Sequence, residues 1–262
     1  MKVNKTMLNA VYMEYNKREL VSPDPLQFLY NYHTAADIEI VALTAASLAY
    51  GRVAQILKST ALVLNLMHPS PYEFLMNSDI CALRRTLNGF KHRFTTGDDL
   101  AFLLAGAGKI IKEYGSLEEC FSSALCAKHE TIIPALEIFA EKVCCFYRGK
   151  PAYLFPAPSR GSACKRPMLF LRWMVRSDEV DPGVWTSIPT SKLVVPLDTH
   201  MHKIASLFGF TKRKTADLKS AMEITAEFAE INPDDPVKYD FALTRFGIRS
   251  ELDIADIQRQ FG

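Results

Sequence analysis

The sequence predicts an all-α fold, because helical patterns run through most of it and strand patterns are missing. Apolar residues recur every three or four positions, which is the spacing of one helix face. No β-branched runs with alternating polarity flank an Asn-Gly or Asp-Gly turn. The 262 residues are 48% hydrophobic and 23% charged, which suits one large domain or two small ones and excludes a disordered or collagen-like chain.

Seven segments carry the helical pattern. They cover 37–66 with a break at Gly51, 98–114, 131–147, 169–175, 201–208, 216–231 and 237–246. Thr96 to Asp99 are placed to cap the second segment, and Pro134 is tolerated in the first turn of the third. Half of the fourteen prolines fall between Pro151 and Pro196, so residues 148–196 are expected to form loop, short helix and loop.

Signals for membrane insertion and secretion are missing from the sequence. The best apolar run, Ile40 to Tyr50, is well below the roughly 18 residues of a membrane-spanning helix. The first residues, Met-Lys-Val-Asn-Lys-Thr, lack the apolar core of a signal peptide. Six cysteines form no Cys-x-x-Cys pair. We therefore expect a cytoplasmic protein with reduced thiols and no membrane association.

Positive charge is concentrated in one segment, although the net charge is only +2. Residues 142–176 contain eight Lys or Arg residues and no Asp or Glu, so the rest of the chain is net negative. This pattern favours an anionic partner. The alternative is a solvated surface whose counter-charges come from elsewhere in the fold. The eight residues are Lys142, Arg148, Lys150, Arg160, Lys165, Arg166, Arg172 and Arg176.

Lys165 is the candidate nucleophile. It follows a turn-forming stretch and precedes Arg166 and Pro167 at the start of an apolar helix, so we expect it at the helix N-terminus. The positive end of the helix dipole and the adjacent Arg166 favour the neutral amine, which is the form that attacks carbon. The alternative is a phosphate-binding or merely exposed lysine.

Asp198 is the candidate acidic partner. It ends an apolar segment and precedes an amphipathic helix, so we expect it to cap that helix and to stay ionised. Capping alone would account for it, but a fixed carboxylate in a basic cleft can also stabilise a developing cation or take up a proton.

The pattern Asp-Thr-His-Met-His raises the possibility of a metal site. Residues two apart on a helix point about 200° away from each other, so His200 and His202 cannot share a face. We therefore expect no bound metal, and we expect His202 to lie near phosphate or solvent.

Three segments resemble the helix-hairpin-helix DNA glycosylase superfamily of the endonuclease III type. VVPLDTHMHKIASLFGF is similar to its Val-Asp-Thr-His segment, and VKYDFALTRFGIR resembles its last helix. The early stretch EIVALTAASLAYGRVAQILKSTALVL resembles the helix and turn that insert into the duplex. The resemblance implies that Asp198 is the catalytic carboxylate and Lys165 the hairpin lysine of the bifunctional members. Their separation of 33 residues is closer to the archaeal 8-oxoguanine glycosylases.

The resemblance also implies two helical lobes with a cleft between them, formed by residues 37–190 and by 1–36 with 191–262. The helix-hairpin-helix is degenerate, because FPAPSRGSA replaces Leu-Pro-Gly-x-Gly and only Gly161 remains. No cysteine follows Cys164, so the C-terminal iron–sulfur cluster of some members cannot form, and we expect no cofactor. The stretch from ACKRPMLFLRWMV to PLDTH resembles an uncharacterised bacterial family of unknown function more closely.

These observations predict a DNA-repair glycosylase with AP lyase activity that excises a damaged base, such as an oxidised purine, through a Schiff base on Lys165. Double-stranded DNA is the expected partner, and no obligate protein partner is inferred. The alternatives are a non-catalytic DNA- or RNA-binding module of the same fold and a metal-dependent hydrolase using Asp198, His200 and His202. The expected nucleic-acid contacts are Arg52, Gln55, Arg148, Lys150, Arg160, Gly161, Arg166 and His202, and the expected base-pocket rings are Trp185, Phe241 and Phe246.

Overall fold

The computed structural model describes residues 3–148 and 152–248, apart from the side chain of residue 248, and confirms an all-α fold over these ranges. Its α-helices are joined by loops and short 3₁₀ turns. They are α1 Lys5–Tyr15, α2 Ala35–Leu48, α3 Val53–Leu66, α4 Pro71–Met76, α5 Ile80–Thr86, α6 Gly97–Tyr114, α7 Leu117–Ala124, α8 Ile133–Val143, α9 Lys165–Val175, α10 Thr199–Phe208, α11 Leu218–Ile231 and α12 Asp240–Ile248. Across the described ranges, no helix combines the length and the apolar character needed to cross a membrane.

Local signals in the sequence place several helix ends correctly. The predicted break at Gly51 separates α2 from α3, and Gly51 has a φ of 100°, which favours glycine. Thr96 and Asp99 form a reciprocal capping box at the start of α6. The helices α1, α4, α5 and α7 were not predicted.

One prediction about secondary structure was wrong, because a short antiparallel strand pair is present. β1 (Lys91–His92) pairs with β2 (Thr95–Thr96), just after the Asn88-Gly89 turn. The pair is held by tertiary contacts rather than by strand propensity. The buried His92 ring lies 2.9 Å from Ser59 Oγ and 3.0 Å from the Tyr50 carbonyl oxygen. Strands of two residues are too short to show the alternating polarity by which a strand is recognised in a sequence.

The core is continuous and has α2 at its centre. This helix is buried on nearly all sides and packs against α3, α9 and the 3₁₀ helix Pro25–Asn31. The last described helix, α12, packs against both α1 and α10. Buried hydrophobic side chains from Met7 to Phe246 form one cluster. The boundaries of the two predicted lobes remain predictions.

Two arginines of the basic segment are buried in an ion-pair network, which we call the arginine network. Arg172 Nη1 lies 2.5 Å from Asp240 Oδ2, and its Nη2 lies 3.1 Å from Asp181 Oδ1. Burial lowers the pKa of Arg172, but the two carboxylates outweigh it and raise the pKa. The members of the network are Arg172, Arg176, Asp178, Asp181, Asp235 and Asp240. Much of the charge of the basic segment is therefore neutralised internally and does not face a partner.

Gly106 marks a close approach between α6 and the end of α8. A Cβ at Gly106 would lie 1.8 Å from the Val143 carbonyl oxygen, whereas one at Gly108 would lie 3.3 Å from a Leu75 side-chain carbon. We expect Gly106→Ala to lower the free energy of unfolding by about 1–3 kcal/mol, because the backbone of α8 must shift. Gly108→Ala on the same helix is the control and should lower the free energy of unfolding by less, as measured by urea unfolding. Equal losses would contradict the close approach.

Candidate active site

A cleft of about 180 Å³ opens where several elements meet. Its walls come from residues 23–25, the turn between α2 and α3 with the start of α3, Pro196, the first turn of α10, and residues along α9 and α12. The ionisable side chains along it are Asp24, Tyr50, Lys165, Arg172, Asp198, His200, Asp240 and Arg245. Both predicted catalytic residues therefore lie in one cleft.

The amine and the carboxylate are in direct contact. Lys165 Nζ lies 3.2 Å from Asp198 Oδ2, although the two residues are 33 positions apart in the sequence. The side chains are 35% and 15% exposed, so the pair can be reached from the mouth of the cleft. This contact brings together an amine and an acid in the way that amine-based nucleophilic catalysis requires.

Lys165 owes its position to the start of α9, where it is the first helical residue as predicted. The preceding Cys164 has a φ of 48°, in the left-handed region, which turns the chain sharply into the helix. The following Arg166 is half-buried and donates to the carbonyl oxygens of Ser47 and Tyr153. The first turn of α9 is thereby tied to the end of α2.

Asp198 is the N-cap of α10, as predicted. Its Oδ1 accepts hydrogen bonds from the backbone N–H groups of His200 and Met201, both at 2.9 Å, while its Oδ2 faces Lys165. Burial raises the pKa of the Asp198 carboxyl, but the Lys165 ammonium and the Met201 N–H outweigh it, so the pKa lies below its usual range. One oxygen thus holds the helix, and the other is an ionised partner for the amine.

The inner wall of the cleft carries three buried charged residues that were not predicted as site residues. Arg172 and Asp240 are an ion pair, and Arg245 Nη2 donates to Asp24 Oδ2 at 3.1 Å. Burial raises the pKa of Asp240 to about 6, against the lowering effect of Arg172. One feature of the sequence points to these three residues, because each is a charged residue within an apolar helical pattern. Such a residue is expected to have a buried partner, but the pattern does not identify that partner.

The two histidines are placed differently from each other. His200 lines the cleft and packs against Gly247, where a Cβ would come within 2.3 Å of its ring. His202 does not line the cleft, and its Nε2 is buried without a partner among the residues described. The His202 side chain as a whole is half-buried, and its expected position near phosphate or solvent stays a prediction. In the described ranges no three His, Cys, Asp or Glu side chains converge to hold a metal ion.

The degenerate hairpin is occupied by internal contacts. Gly161 has a φ of 74°, and its N–H donates to the Pro158 carbonyl oxygen at 2.9 Å. The Glu137 carboxylate accepts from both the N–H and the hydroxyl of Ser159, at 2.7 and 2.6 Å. Because these donors are taken and a carboxylate lies beside them, the expected phosphate contact at Gly161 is not supported.

The other basic residues predicted to contact nucleic acid fall into separate groups. Arg166 points its guanidinium at backbone carbonyls, so its expected phosphate contact is also not supported. Arg148 and Arg160 are exposed and line a shallow depression outside the cleft. Lys150 lies outside the described residues.

A small basic surface borders the cleft at the α2–α3 turn. Arg52 and Gln55, both exposed, line a depression together with Gly51, which also lines the cleft. The sequence did not predict its fourth member, Arg93, which lies in the turn of the strand pair. We call Arg52, Gln55 and Arg93 the rim patch.

The three aromatic rings expected to contact a base are buried in the core and do not line the cleft. Trp185 is 2% exposed and donates from Nε1 to the buried Glu39 carboxylate. Phe241 lies under the Arg245 guanidinium, and Phe246 packs edge-on against Tyr15. For Phe241 and Phe246, both in α12, the helical spacing of aromatic residues indicates the core.

Comparison with protein families gives one match. Residues 24–249, which include Lys165 and Asp198, match the family described as "Protein of unknown function (DUF2400)". The chain belongs to the DUF2400 family. No curated protein and no solved structure matches it. For this DUF2400 protein, the resemblance to helix-hairpin-helix glycosylases therefore rests on its own sequence motifs.

Proposed function

We propose that this DUF2400 protein is a DNA glycosylase with AP lyase activity that acts on a damaged base in double-stranded DNA. The observation that carries the proposal is the 3.2 Å contact between Lys165 Nζ and Asp198 Oδ2 at the mouth of a cleft. The target nucleotide would leave the duplex and enter the cleft, as in other enzymes that act on single bases.

The chemistry follows from the roles of the two side chains. Lys165 passes a proton to Asp198, and its lone pair forms a bond to the sugar C1′ while the bond between C1′ and the base breaks. The electron pair of that bond leaves with the base, which then takes up a proton. The C1′–O4′ bond then breaks as a proton moves from the nitrogen to O4′, which opens the sugar ring and gives a Schiff base. Loss of a C2′ proton to solvent expels the 3′ phosphate and cleaves the strand.

Asp198 suits two tasks in this sequence. Its lowered pKa keeps it ionised at neutral pH until it takes up the proton of the amine. When that proton passes on to the departed base, Asp198 is ionised again and offsets the positive charge of the adduct between the sugar and Lys165. Its Oδ2 is also near enough to Lys165 to take up the proton directly.

The rim patch supports DNA as the substrate. Two exposed arginines, Arg52 and Arg93, border the cleft and are placed to contact phosphates beside the extruded nucleotide. The side chains of Arg52 and Gln55 remain candidates to fill the gap that the nucleotide leaves.

Borohydride trapping tests the proposal. Reduction of a Schiff base on a duplex with an abasic site or an 8-oxoguanine should give a covalent protein–DNA adduct with the wild-type chain. We expect Lys165→Gln to abolish the adduct, because glutamine has no nucleophilic amine. Lys112→Gln, an exposed lysine on α6 outside the cleft, is the matched control and should keep it. An adduct that survives Lys165→Gln would contradict the role of Lys165.

A non-catalytic DNA- or RNA-binding module is the second candidate. The hairpin favours it, because the Gly161 N–H and the Ser159 donors are already bonded within the protein. Tight binding to duplexes with no adduct on any lesion would support the module and reject the glycosylase.

A further inference from the structure

Two polar atoms on the inner wall of the cleft have no hydrogen-bond partner among the residues that the structure describes. They are Asp240 Oδ1 and Arg245 Nε, in residues that are 3% and 1% exposed. Both residues line the cleft. Buried polar atoms in folded proteins are nearly always paired, so two orphans on the wall of one cavity point to a ligand that completes them.

The other polar side-chain atoms of Asp240 and Arg245 form hydrogen bonds within the protein. These bonds fix the orientation of the two atoms that have no partner. Asp240 Oδ2 accepts from Arg172 Nη1 at 2.5 Å. Arg245 Nη1 donates to the Leu20 carbonyl oxygen at 3.3 Å, and its Nη2 donates to Asp24 Oδ2 at 3.1 Å. Neither side chain can turn to find a new partner without breaking an ion pair. The free acceptor and the free donor are therefore preorganised.

The remaining walls suit a flat ring. Pro23, Pro25 and Pro196 line the cleft together with Leu169 and contribute rigid apolar surface. Such walls, combined with a few fixed polar groups at the inner end, are typical of small-molecule sites. The apolar walls would bury the faces of a planar heterocycle while the polar end contacts its edge.

Asp240 Oδ1 and Arg245 Nε determine which edge of a planar ring could bind at the inner end of the cleft. A carboxylate oxygen accepts from an N–H, and an arginine Nε–H donates to an oxygen or nitrogen acceptor. A ring that presents an N–H next to a carbonyl, which is the lactam edge of guanine-type bases and of uracil-type bases, offers one group to each atom. Both contacts would be charge-assisted, and such hydrogen bonds are the stronger ones.

We propose that Asp240 and Arg245 determine which base the cleft accepts, with Asp240 Oδ1 accepting from a ring N–H and Arg245 Nε–H donating to the neighbouring carbonyl of a lactam edge. This inference rests on the proposed function for the source of the ring, a nucleotide extruded from DNA. It adds the substrate class, namely bases that carry a protonated ring nitrogen beside a carbonyl.

Calorimetric titration of nucleosides tests the inference without any catalytic step. The probes are 8-oxo-2′-deoxyguanosine and its N1-methyl derivative, which differ in the single ring N–H assigned to Asp240. We expect the wild-type protein to bind the N1–H nucleoside at least about tenfold more tightly, as loss of a hydrogen bond to a charged group implies. This comparison needs no variant, so it does not depend on how a mutant folds.

Two variants then assign the preference to Asp240. Asp240→Asn should reduce the preference to within about twofold, because the amide oxygen is expected to stay with Arg172 and the amide NH2, which cannot accept, then faces the ring N–H. Asp235→Asn removes a charge from the same arginine network but lies outside the cleft, and it should keep the wild-type preference. Equal binding of the two nucleosides by the wild-type protein would overturn the inference, and so would an unchanged preference in Asp240→Asn.

The two proposals fail in different experiments. Trapping at an abasic site involves no base in the cleft, so its failure rejects the lyase chemistry and leaves the nucleoside preference standing. Conversely, a wild-type adduct together with equal nucleoside binding rejects the assigned base edge and leaves the chemistry of Lys165 intact.

Discussion

Asp198→Asn is expected to lower the rate of base excision by about 10²–10⁴-fold, the usual contribution of a positioned acid or base. Asparagine caps helices about as well as aspartate, so its side-chain oxygen can still accept from the His200 and Met201 N–H groups. What is lost is the negative charge 3.2 Å from Lys165 Nζ. Single-turnover kinetics on a duplex that carries the lesion measures the change, and urea unfolding verifies the fold.

Asp217 provides the matched control for that experiment. It caps α11 in the same way, accepting from the Ser220 N–H at 2.9 Å, but it lies outside the cleft. We expect Asp217→Asn to leave the excision rate near that of the wild type. If the two variants lost activity equally, Asp198 would act only as a helix cap, and the catalytic role assigned to its free oxygen would be wrong.

Arg172→Met is expected to lower the free energy of unfolding by about 3–5 kcal/mol, the usual cost of removing one partner from a buried ion pair. The Arg172 side chain is 4% exposed, and it neutralises Asp181 and Asp240, which are buried as fully. Methionine fills similar space but leaves Asp240 without its cation and Asp181 with Arg176 alone. The urea concentration at the midpoint of unfolding measures the loss.

Arg84→Met is the comparison for the buried arginine. Arg84 forms a two-point ion pair with Asp98, but the side chains are 50% and 46% exposed. Water and salt screen such a pair, so we expect a far smaller shift in the midpoint. Similar shifts in the two variants would show that burial of the arginine network does not determine its contribution.

The parts of the site that depend on neighbouring residues could be predicted from the sequence. Pro167 and the turn before Lys165 mark the start of α9, and Asp198 precedes the apolar pattern of α10. Capping and proline effects act within one helical turn, so they can be predicted from a few neighbouring residues. The resemblance to glycosylases then linked the two helix starts, and the structure places them in contact.

The parts that depend on distant partners could not be predicted. Arg166 and Arg172 belong to the same basic segment as the exposed Arg160, yet their guanidinium groups contact Ser47, Tyr153 and Asp240. Charge counted along the chain does not report which side chains turn inward. For the same reason, the sequence did not identify Asp240 as part of the cleft.

The contact between Lys165 and Asp198 joins the ends of two helices, and this has a consequence for heat and denaturants. Terminal turns open at lower free energy than the interior of a protein. Fraying of the first turn of either α9 or α10 would separate the amine from the acid while the buried core stayed folded. Activity would then fade below the global melting temperature, and hydrogen exchange at the Met201 amide would report the same opening.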